Sequence, residues 1–358
     1  MSNGGYRVAV VGATGQVGSL MRALLRERAF PAREVVPFAS ERSAGRTLDD
    51  GTTVRTLSDE AIQGFDIALC SAGGSTSGEW APRFADAGAI VVDNSSRWRM
   101  YDNVPLVVAE VNPHALGVLR SDGEHRGIVA NPNCSTMQMV VALNPILQEA
   151  GIERLVISTY QAVSGTGRGA VDELLTQAHT LLHEREIEPP QQYPHQIAFN
   201  ALPQAGRFGD GDDHTDEERK LMNETRKILG EPAIRISATC VRVPVVTGHS
   251  EAVNVQTRDP LSPQRARELL DAAPGVTVID DPADGGYPQP INAAGHDDVF
   301  VGRIRRDPGH ERALDMWIVS DNLRKGAATN AVQIAELLHD RGMLDSRAVP
   351  AAAANAAA

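Results

Sequence analysis

The chain has 358 residues, 42% of them hydrophobic and only 4% aromatic, with 34 Lys+Arg against 46 Asp+Glu and a formal net charge of −12. At roughly 100–200 residues per domain this predicts about two domains, each large enough to bury a core, and the acidic balance disfavours binding to a nucleic-acid backbone. The opening Met1-Ser2-Asn3-Gly4-Gly5 lacks a charged stretch followed by an apolar one, and no window reaches the roughly 18 apolar residues of a membrane span, so a cytoplasmic location is expected.

Through residue 133 short β-branched runs alternate with helical patterns, the signature of βαβ units on a parallel sheet. Tyr6–Val11, Asp66–Cys70, Ala89–Asp93 and Leu106–Val108 read as strands, and Gln16–Arg28 and Trp80–Ala87 as helices. From Cys134 onward the strands lengthen, with Arg154–Val163, Ile234–Val246 and Ala252–Thr257 between amphipathic helices. The expected architecture is α/β, an N-terminal Rossmann-type doubly wound domain followed by an α+β mixed-sheet domain. Residues 187–215 carry Pro189-Pro190, Pro194, Pro203 and Phe208-Gly209-Asp210-Gly211-Asp212-Asp213, and read as a surface excursion that is mobile or wraps a partner. Asn322–Gly342 forms a last helical stretch, Ala351–Ala358 an alanine-rich tail, and there is no internal repeat.

The first strand runs into Gly12-Ala13-Thr14-Gly15-Gln16-Val17-Gly18 and then a helix. Such a glycine turn lets backbone N–H groups approach a pyrophosphate, with the helix dipole adding favourable potential, although the spacing is GxxGxxG rather than GxGxxG. A glycine-rich turn without a ligand is the competing reading. After the second strand comes Ser40-Glu41-Arg42-Ser43, where Arg42 and Ser43 can hold a 2′-phosphate while Glu41 points to solvent. NADP is therefore preferred to NAD; Arg42 as a solvated loop residue is the alternative.

Cys70, Cys134 and Cys240 form no CxxC pair, which argues against disulfide or zinc frameworks, and no metal site is expected. Asn131-Pro132-Asn133 before Cys134 reads as a turn and a cap. That places the thiol at a helix N-terminus, where N–H groups and the macrodipole favour a thiolate. Cys70 and Cys240 sit in apolar strand patterns and read as buried hydrophobes. A thiolate beside a dinucleotide domain points to aldehyde oxidation through a thiohemiacetal and a thioester, with a base for the thiol proton. His249, after Val243-Pro244-Val245-Val246-Thr247-Gly248, is the best-placed base, the alternative being an ordinary loop histidine.

These pieces, together with Ser71-Ala72-Gly73-Gly74, Asn94-Ser95-Ser96, Gln161-Ala162-Val163-Ser164-Gly165, Glu217 to Lys220 and Arg242 with His249, closely resemble the bacterial aspartate-semialdehyde dehydrogenases, in family order from residue 8 to about 330. The resemblance implies reversible, NADP- and phosphate-dependent conversion of L-aspartate 4-semialdehyde to L-4-aspartyl phosphate, run reductively to supply lysine (through diaminopimelate), methionine and threonine. It implies Cys134 as the acyl-enzyme nucleophile, His249 as acid/base, Gln161 as the residue that positions substrate, and Arg242 on the substrate carboxylate. Arg99, Asn133 and Lys220 are implied for phosphate, with Glu217 orienting Lys220 or meeting the substrate amino group. Without the resemblance, Glu217 and Lys220 read as a surface salt bridge on one helix face.

For the cofactor the resemblance implies Gly12, Thr14, Gly15, Gln16, Val17, Arg42, Ser43, Ser71, Ala72, Gly73, Ser164, Gly165 and Asn322. Asn322 would return the last helix to the first domain, giving 1–133 plus about 323–345 for the nucleotide domain, 134–322 for the catalytic and dimerisation domain and 346–358 for the tail. A homodimer through the second domain is implied too. Arg97-Trp98-Arg99 offers two arginines where the family pattern has one. Two rivals stand: N-acetyl-glutamyl-phosphate reductase, disfavoured by Glu217, and a silent NADP-binding regulator, disfavoured because Cys134, His249, Arg99 and Arg242 are all present.

Overall fold

The computed structural model describes residues 5–119 and 122–345, so the expected tail at 346–358 lies outside the described residues. The chain divides into two compact units. One comprises the described parts of Met1–Ala109, Pro113–Asn131 and Asn330–Ala358, the other Glu110–Asn112 with Pro132–Thr329. The boundary thus falls at Asn131/Pro132 rather than after residue 133, and the chain returns to the first unit at Asn330 rather than near 323.

The first unit is built on β1 (Tyr6–Val11), α1 (Gln16–Glu27), β2 (Ala32–Phe38), β3 (Ile67–Cys70), α2 (Gly74–Asp86), β4 (Ile90–Asp93) and β5 (Ile128–Ala130). Its strands form one sheet in the order β2-β1-β3-β4-β5, parallel throughout. The inner strands β3 and β4 are buried along their whole length, β3 as the continuous apolar run Ile67-Ala68-Leu69-Cys70, and β1 is buried except at Arg7, as parallel strands covered on both faces require. Phe38, Phe65 and Phe84 pack edge to face with centroids 5.7–6.1 Å apart, each pair adding roughly 0.5–1.5 kcal/mol beyond area burial. Phe38 has a second task, because its carbonyl accepts from Gly12 N at 2.9 Å and Ala13 N at 3.0 Å and so fixes the glycine turn after β1.

Two expectations for this unit are corrected. Leu106–Val108 is not a strand: Ala130 N bonds to Pro105 O and Val107 N to Ala130 O, but the next carbonyl, Val107 O, is taken by Asn330 Nδ2 at 2.8 Å, so no ladder propagates and the fifth strand is β5. The second helix begins at Gly74, well before Trp80. Asn330, wholly buried at the start of the C-terminal helix Asn330–Asp340, also donates to Asn131 Oδ1 (2.6 Å) and accepts from Ala109 N (3.0 Å), which anchors that helix in this unit.

The second unit contains α3 (Cys134–Ala150), β6 (Ile152–Gln161), α4 (Arg168–Leu182), α5 (Asp216–Leu229), β7 (Arg235–Arg242), β8 (His249–Thr257), α6 (Pro263–Asp271), β9 (Val276–Val278), β10 (Val299–Arg306) and β11 (Ala313–Ser320). The strands form one mixed sheet, β7-β6-β8-β11-β10-β9, with β6–β7 and β9–β10 parallel and the other pairs antiparallel. Along β6 the side chains alternate: Leu155, Ile157, Thr159 and Gln161 are buried, and Tyr160 is exposed on the other face. The apolar helix α3 packs on α5, α6, β6, β8, β10 and β11.

Three readings change here. The expected strand Ile234–Val246 stops at Arg242, before Val243-Pro244, since proline cannot donate to a ladder. His249 is not on a loop but is the first residue of β8, paired with Ser320. The excursion at 187–215 is anchored to the unit: Gln177 Oε1 accepts from Ile197 N (3.0 Å) and Ala198 N (3.1 Å), Leu202 bridges to Arg242, and Ile197, Ala198 and Leu202 join a core with Val163, Val171 and Leu174. Its few apolar residues, spaced among prolines, supply the anchors. Among the described residues no helix is long and apolar enough to cross a membrane.

Candidate active site

In the first unit a cleft of about 630 Å³ opens beside the glycine turn, lined by Gly12, Thr14, Gly15, Ser40, Glu41, Thr56, Leu57, Ser71, Ala72, Thr76 and Trp80 among others. Gly12 has φ +82°, and a Cβ there would overlap the Ser71 carbonyl, so the turn closes onto the loop after β3 only with glycine. Helix α1 begins at Gln16 behind Gly15, which caps it with no side chain and leaves the first N–H groups available. The volume and the bare helix start fit a dinucleotide. Gln16, Val17, Gly73, Arg42 and Ser43 lie on the same segments but do not line the cleft, whereas Glu41, an exposed residue, is among those that do. Thr56, Leu57, Thr76 and Trp80 were not anticipated, and no motif marks them.

Arg99 is also in the first unit. Its Nε donates to Asn131 O at 3.0 Å and its Nη2 to Asn94 O at 2.7 Å, while Arg97 is exposed with its guanidinium 5.6 Å from the centre of the Trp98 ring. Two carbonyls thus clasp Arg99 and not Arg97. Beside it, burial raises the Asp93 carboxyl above the usual carboxylate range, against hydrogen bonds from Ser77 and Ser95 and the charge of Arg99.

The second unit gathers most of the remaining candidates. Cys134 is the first residue of α3, half-buried, with its Sγ 3.7 Å from Asn133 Oδ1. Asn133 holds the N-cap position by its backbone, but its side chain does not cap, contrary to the expected reason for the turn. Instead Asn133 Nδ2 donates to Glu217 Oε1 (2.9 Å) and Asn133 N to Glu224 Oε2 (2.7 Å). Gln161 Nε2 donates to the same Glu217 oxygen (3.0 Å), while its Oε1 accepts from Thr159 Oγ1 (3.2 Å). Lys220 Nζ lies 3.5 Å from Glu217 Oε2 and closer, at 2.6 Å, to Asp216. Burial alone would raise the Glu217 carboxyl, but Lys220, the amides of Asn133 and Gln161, and Arg242 outweigh it and hold the group below its ordinary value. A buried anion is thereby maintained, which a surface i,i+3 pair would not provide.

The peptide of Ala162 pins two further groups: its N–H donates to His249 Nδ1 (3.0 Å) and its carbonyl accepts from Arg242 Nη1 (2.7 Å). Both side chains are buried, and neither His249 Nε2 nor Arg242 Nε has a hydrogen-bond partner among the described residues. Such orphaned buried donors are costly unless a ligand or water meets them. Gly165 sits against both, since a Cβ there would lie 3.2 Å from His249 Nε2 and 3.3 Å from Arg242 Nη1. Burial, and then the Arg242 charge, drive the His249 imidazole well below its ordinary value.

Asn322 precedes a π-turn, Arg324–Thr329, rather than opening the last helix, and belongs to the second unit. Its Oδ1 accepts from Gly248 N and its Nδ2 donates to Ser164 Oγ, both at 2.9 Å. Sequence reasoning missed Glu224 and the π-turn glycine Gly326, where a Cβ would lie 2.8 Å from Cys134 Cβ. Glu224 had a readable signal. With Glu217 it occupies the face of α5 that carries Leu221 and Ile228, and a carboxylate on an apolar helix face is out of place unless something meets it.

Residues 7–118 match the family described as semialdehyde dehydrogenase, NAD binding domain, and residues 143–325 match the semialdehyde dehydrogenase dimerisation domain. The chain is 55% identical over 344 residues to an aspartate-semialdehyde dehydrogenase of Aquifex aeolicus, covering 95% of this chain and 100% of that one. The chain belongs to the aspartate-semialdehyde dehydrogenase family. Among solved structures, aspartate semialdehyde dehydrogenase II from Vibrio cholerae complexed with ASA is similar at 46% identity and TM-score 0.88, over 94% of this chain and 98% of that one. An aspartate semialdehyde dehydrogenase with NADP from Candida albicans is similar at 26% identity and TM-score 0.72, over 94% and 99%. The parallel-sheet nucleotide unit and the mixed-sheet second unit are the architecture this family shares.

Proposed function

We propose that the chain catalyses the NADP-dependent interconversion of L-4-aspartyl phosphate and L-aspartate 4-semialdehyde plus phosphate, through an acyl-thioester on Cys134, and runs reductively toward lysine, methionine and threonine. The observation that carries this reading is the buried Glu217 carboxylate held anionic beside Asn133, next in the chain to the helix-start Cys134. An anion there suits the free ammonium of an aspartyl substrate and has no counterpart in an acylated amine, which argues against the N-acetyl-glutamyl-phosphate rival. Arg242, with Nη1 occupied and Nε open, suits the substrate carboxylate as a planar donor.

Asn133 and Gln161 hold Glu217 in place, and Lys220 and Arg99 are the cations proposed for phosphate. In the cleft of the first unit the turn of Gly12, Thr14 and Gly15 with Ser71 and Ala72 would hold the pyrophosphate, and Arg42 and Ser43 a 2′-phosphate; Gln16, Val17, Gly73, Ser164, Gly165 and Asn322 complete the proposed set. The bound nicotinamide would supply or accept the hydride. The Candida relative's NADP supports this cofactor, while Glu41 in the cleft wall is the carboxylate an NAD enzyme would use. The match to a dimerisation domain supports a homodimer through the second unit.

The test is nucleotide reduction by the purified chain given L-aspartate semialdehyde with NADP or NAD, with phosphate present or omitted, and N-acetyl-glutamate semialdehyde as rival substrate. Strict dependence on phosphate, NADP and the free-amine substrate is expected. Turnover of the acetylated substrate alone, or of neither, overturns the reading.

A further inference from the structure

The π-turn Arg324–Thr329 presses the Gly326 backbone against Cys134, and three carboxylates fasten it. Its wide pitch shows in two bonds that span five residues, Gly326 N to Asp321 O at 3.1 Å and Ala328 N to Leu323 O at 3.0 Å. Asp321 Oδ1 accepts from Leu323 N (2.8 Å) and Arg324 N (3.0 Å), and Asp297 Oδ1 accepts from Arg324 Nε (2.8 Å) and Thr329 Oγ1 (2.6 Å). Between these ends lies Lys325, a lysine only 1% exposed, whose Nζ donates to Glu110 Oε2. Glu110 comes from a short segment, Glu110–Asn112, that belongs to the second unit although the chain on either side of it belongs to the first.

Resting on the function proposed above, we propose that Lys325 and Glu110 are positioning residues: their buried ion pair fixes the register of the π-turn so that Gly326, and no residue with a side chain, faces Cys134. A slip of one residue to ordinary helical pitch would rotate the turn by about 100° and bring Lys325 or Ala327 toward the thiol. Either carries a Cβ, and a Cβ at the Gly326 position would already lie 2.8 Å from Cys134 Cβ. Apolar side chains in place of the pair would accept both registers, because apolar burial is non-directional. The ion pair does not, since rotating Lys325 away strands a buried ammonium and a largely buried carboxylate, the costliest kind of unpaired group.

Such a pair contributes little net stability. The desolvation penalty of two buried ions is close to the attraction between them, so apolar residues of like volume in both places commonly leave a fold as stable or more so, whereas removal of one partner is severely destabilising. What the pair supplies is a unique arrangement, and here that arrangement bears on a reacting side chain. Cys134 is half-buried at the first turn of α3, so what touches its Cβ from outside the helix bears on where the sulfur lies. A displacement of about 1 Å at a nucleophile costs on the order of 10²-fold in rate. Glu217 and Arg242, proposed to hold the substrate, lie on α5 and β7 rather than on the turn, so the loss falls on kcat and not on KM.

The experiment compares the full chain with Lys325→Met and with Lys325→Met/Glu110→Leu, measuring melting temperature, the rate of Cys134 alkylation by iodoacetamide, and kcat and KM for L-aspartate semialdehyde. The single variant is expected to melt far below wild type or to fail to fold, and the double variant to melt within about 3 °C of wild type. With the fold restored, the double variant is expected to show kcat lowered ~10-fold or more, KM within about threefold, and Cys134 alkylated at least ~3-fold faster as the turn loosens from the thiol. A double variant that keeps the wild-type kcat and alkylation rate, one whose loss lies in KM, or one that melts as low as the single variant or does not fold overturns the inference. Melting and alkylation are read on the resting protein without substrate, so they decide the role of the pair whether or not the chain reduces aspartyl phosphate, and failure here is distinct from failure of the proposed function.

Discussion

Gly326 tests whether the thiol is held by packing from outside its own helix. A Cβ at this position would lie 2.8 Å from Cys134 Cβ, 3.3 Å from Cys134 Cα and 3.6 Å from Asn322 Cβ. Carbon atoms in contact prefer about 3.5–4.0 Å, so Gly326→Ala must displace the start of α3 or the π-turn by about 1 Å. Overpacking of this kind costs roughly 1–3 kcal/mol, and at ~2–4 °C per kcal/mol for a unit of this size the melting temperature is expected to fall by at least ~2 °C. A misplacement of about 1 Å at a reacting atom costs on the order of 10²-fold in rate. The assay pairs kcat for NADP reduction with calorimetric melting and with the rate of Cys134 alkylation by iodoacetamide. Turnover within twofold of wild type and an unchanged melting temperature would refute the reasoning.

Cys134→Ser is expected to abolish phosphate-dependent turnover and leave NADP affinity within about twofold, because thiol and glycine turn belong to different units; titration of the variant with NADP checks the second half, and retained turnover removes the nucleophile assignment. Gly12→Ala drives a methyl into the Ser71 carbonyl from a φ of +82°, so nucleotide binding is expected to weaken at least ~10-fold, as read by the same titration. Glu251→Gln addresses a carboxyl whose oxygens, like Gln138 Nε2 near them, lack a partner among the described residues. Burial raises this group well above its ordinary value and Gln138 only tempers the rise, so its contribution to stability is complete below the unfolded value, about 4.3, and is lost as pH climbs from there toward the folded value. The glutamine variant, uncharged throughout, is expected to gain on wild type in melting temperature between pH 5 and pH 8; parallel curves would show that Glu251 is ionised in both states.

Several elements of the fold follow from short-range rules and are written in the residue order. Continuous apolar runs such as Ile67-Ala68-Leu69-Cys70 announced buried parallel strands, Gly12 to Gly18 announced a backbone turn beneath a helix, and Asn131 to Ser135 put Cys134 at a helix start. These elements depend on neighbours within a turn or two, so their logic is written in consecutive residues. The tertiary structure alone decided where polar groups are spent. Val107 O went to Asn330, which cancelled an expected strand; the Asn133 side chain went to Glu217 instead of capping its helix. Glu41 entered the cleft wall, and His249 opened a strand rather than riding a loop. The outcomes at Val107, Asn133 and His249 are choices among hydrogen-bond partners distant in sequence, and a buried donor or acceptor must find one wherever the fold brings it. For that reason the residue types of the candidate site were legible at once, and the hydrogen-bond partner of His249 was not: its Nδ1 accepts from one peptide N–H, that of Ala162, which only the packed sheet carries to the ring.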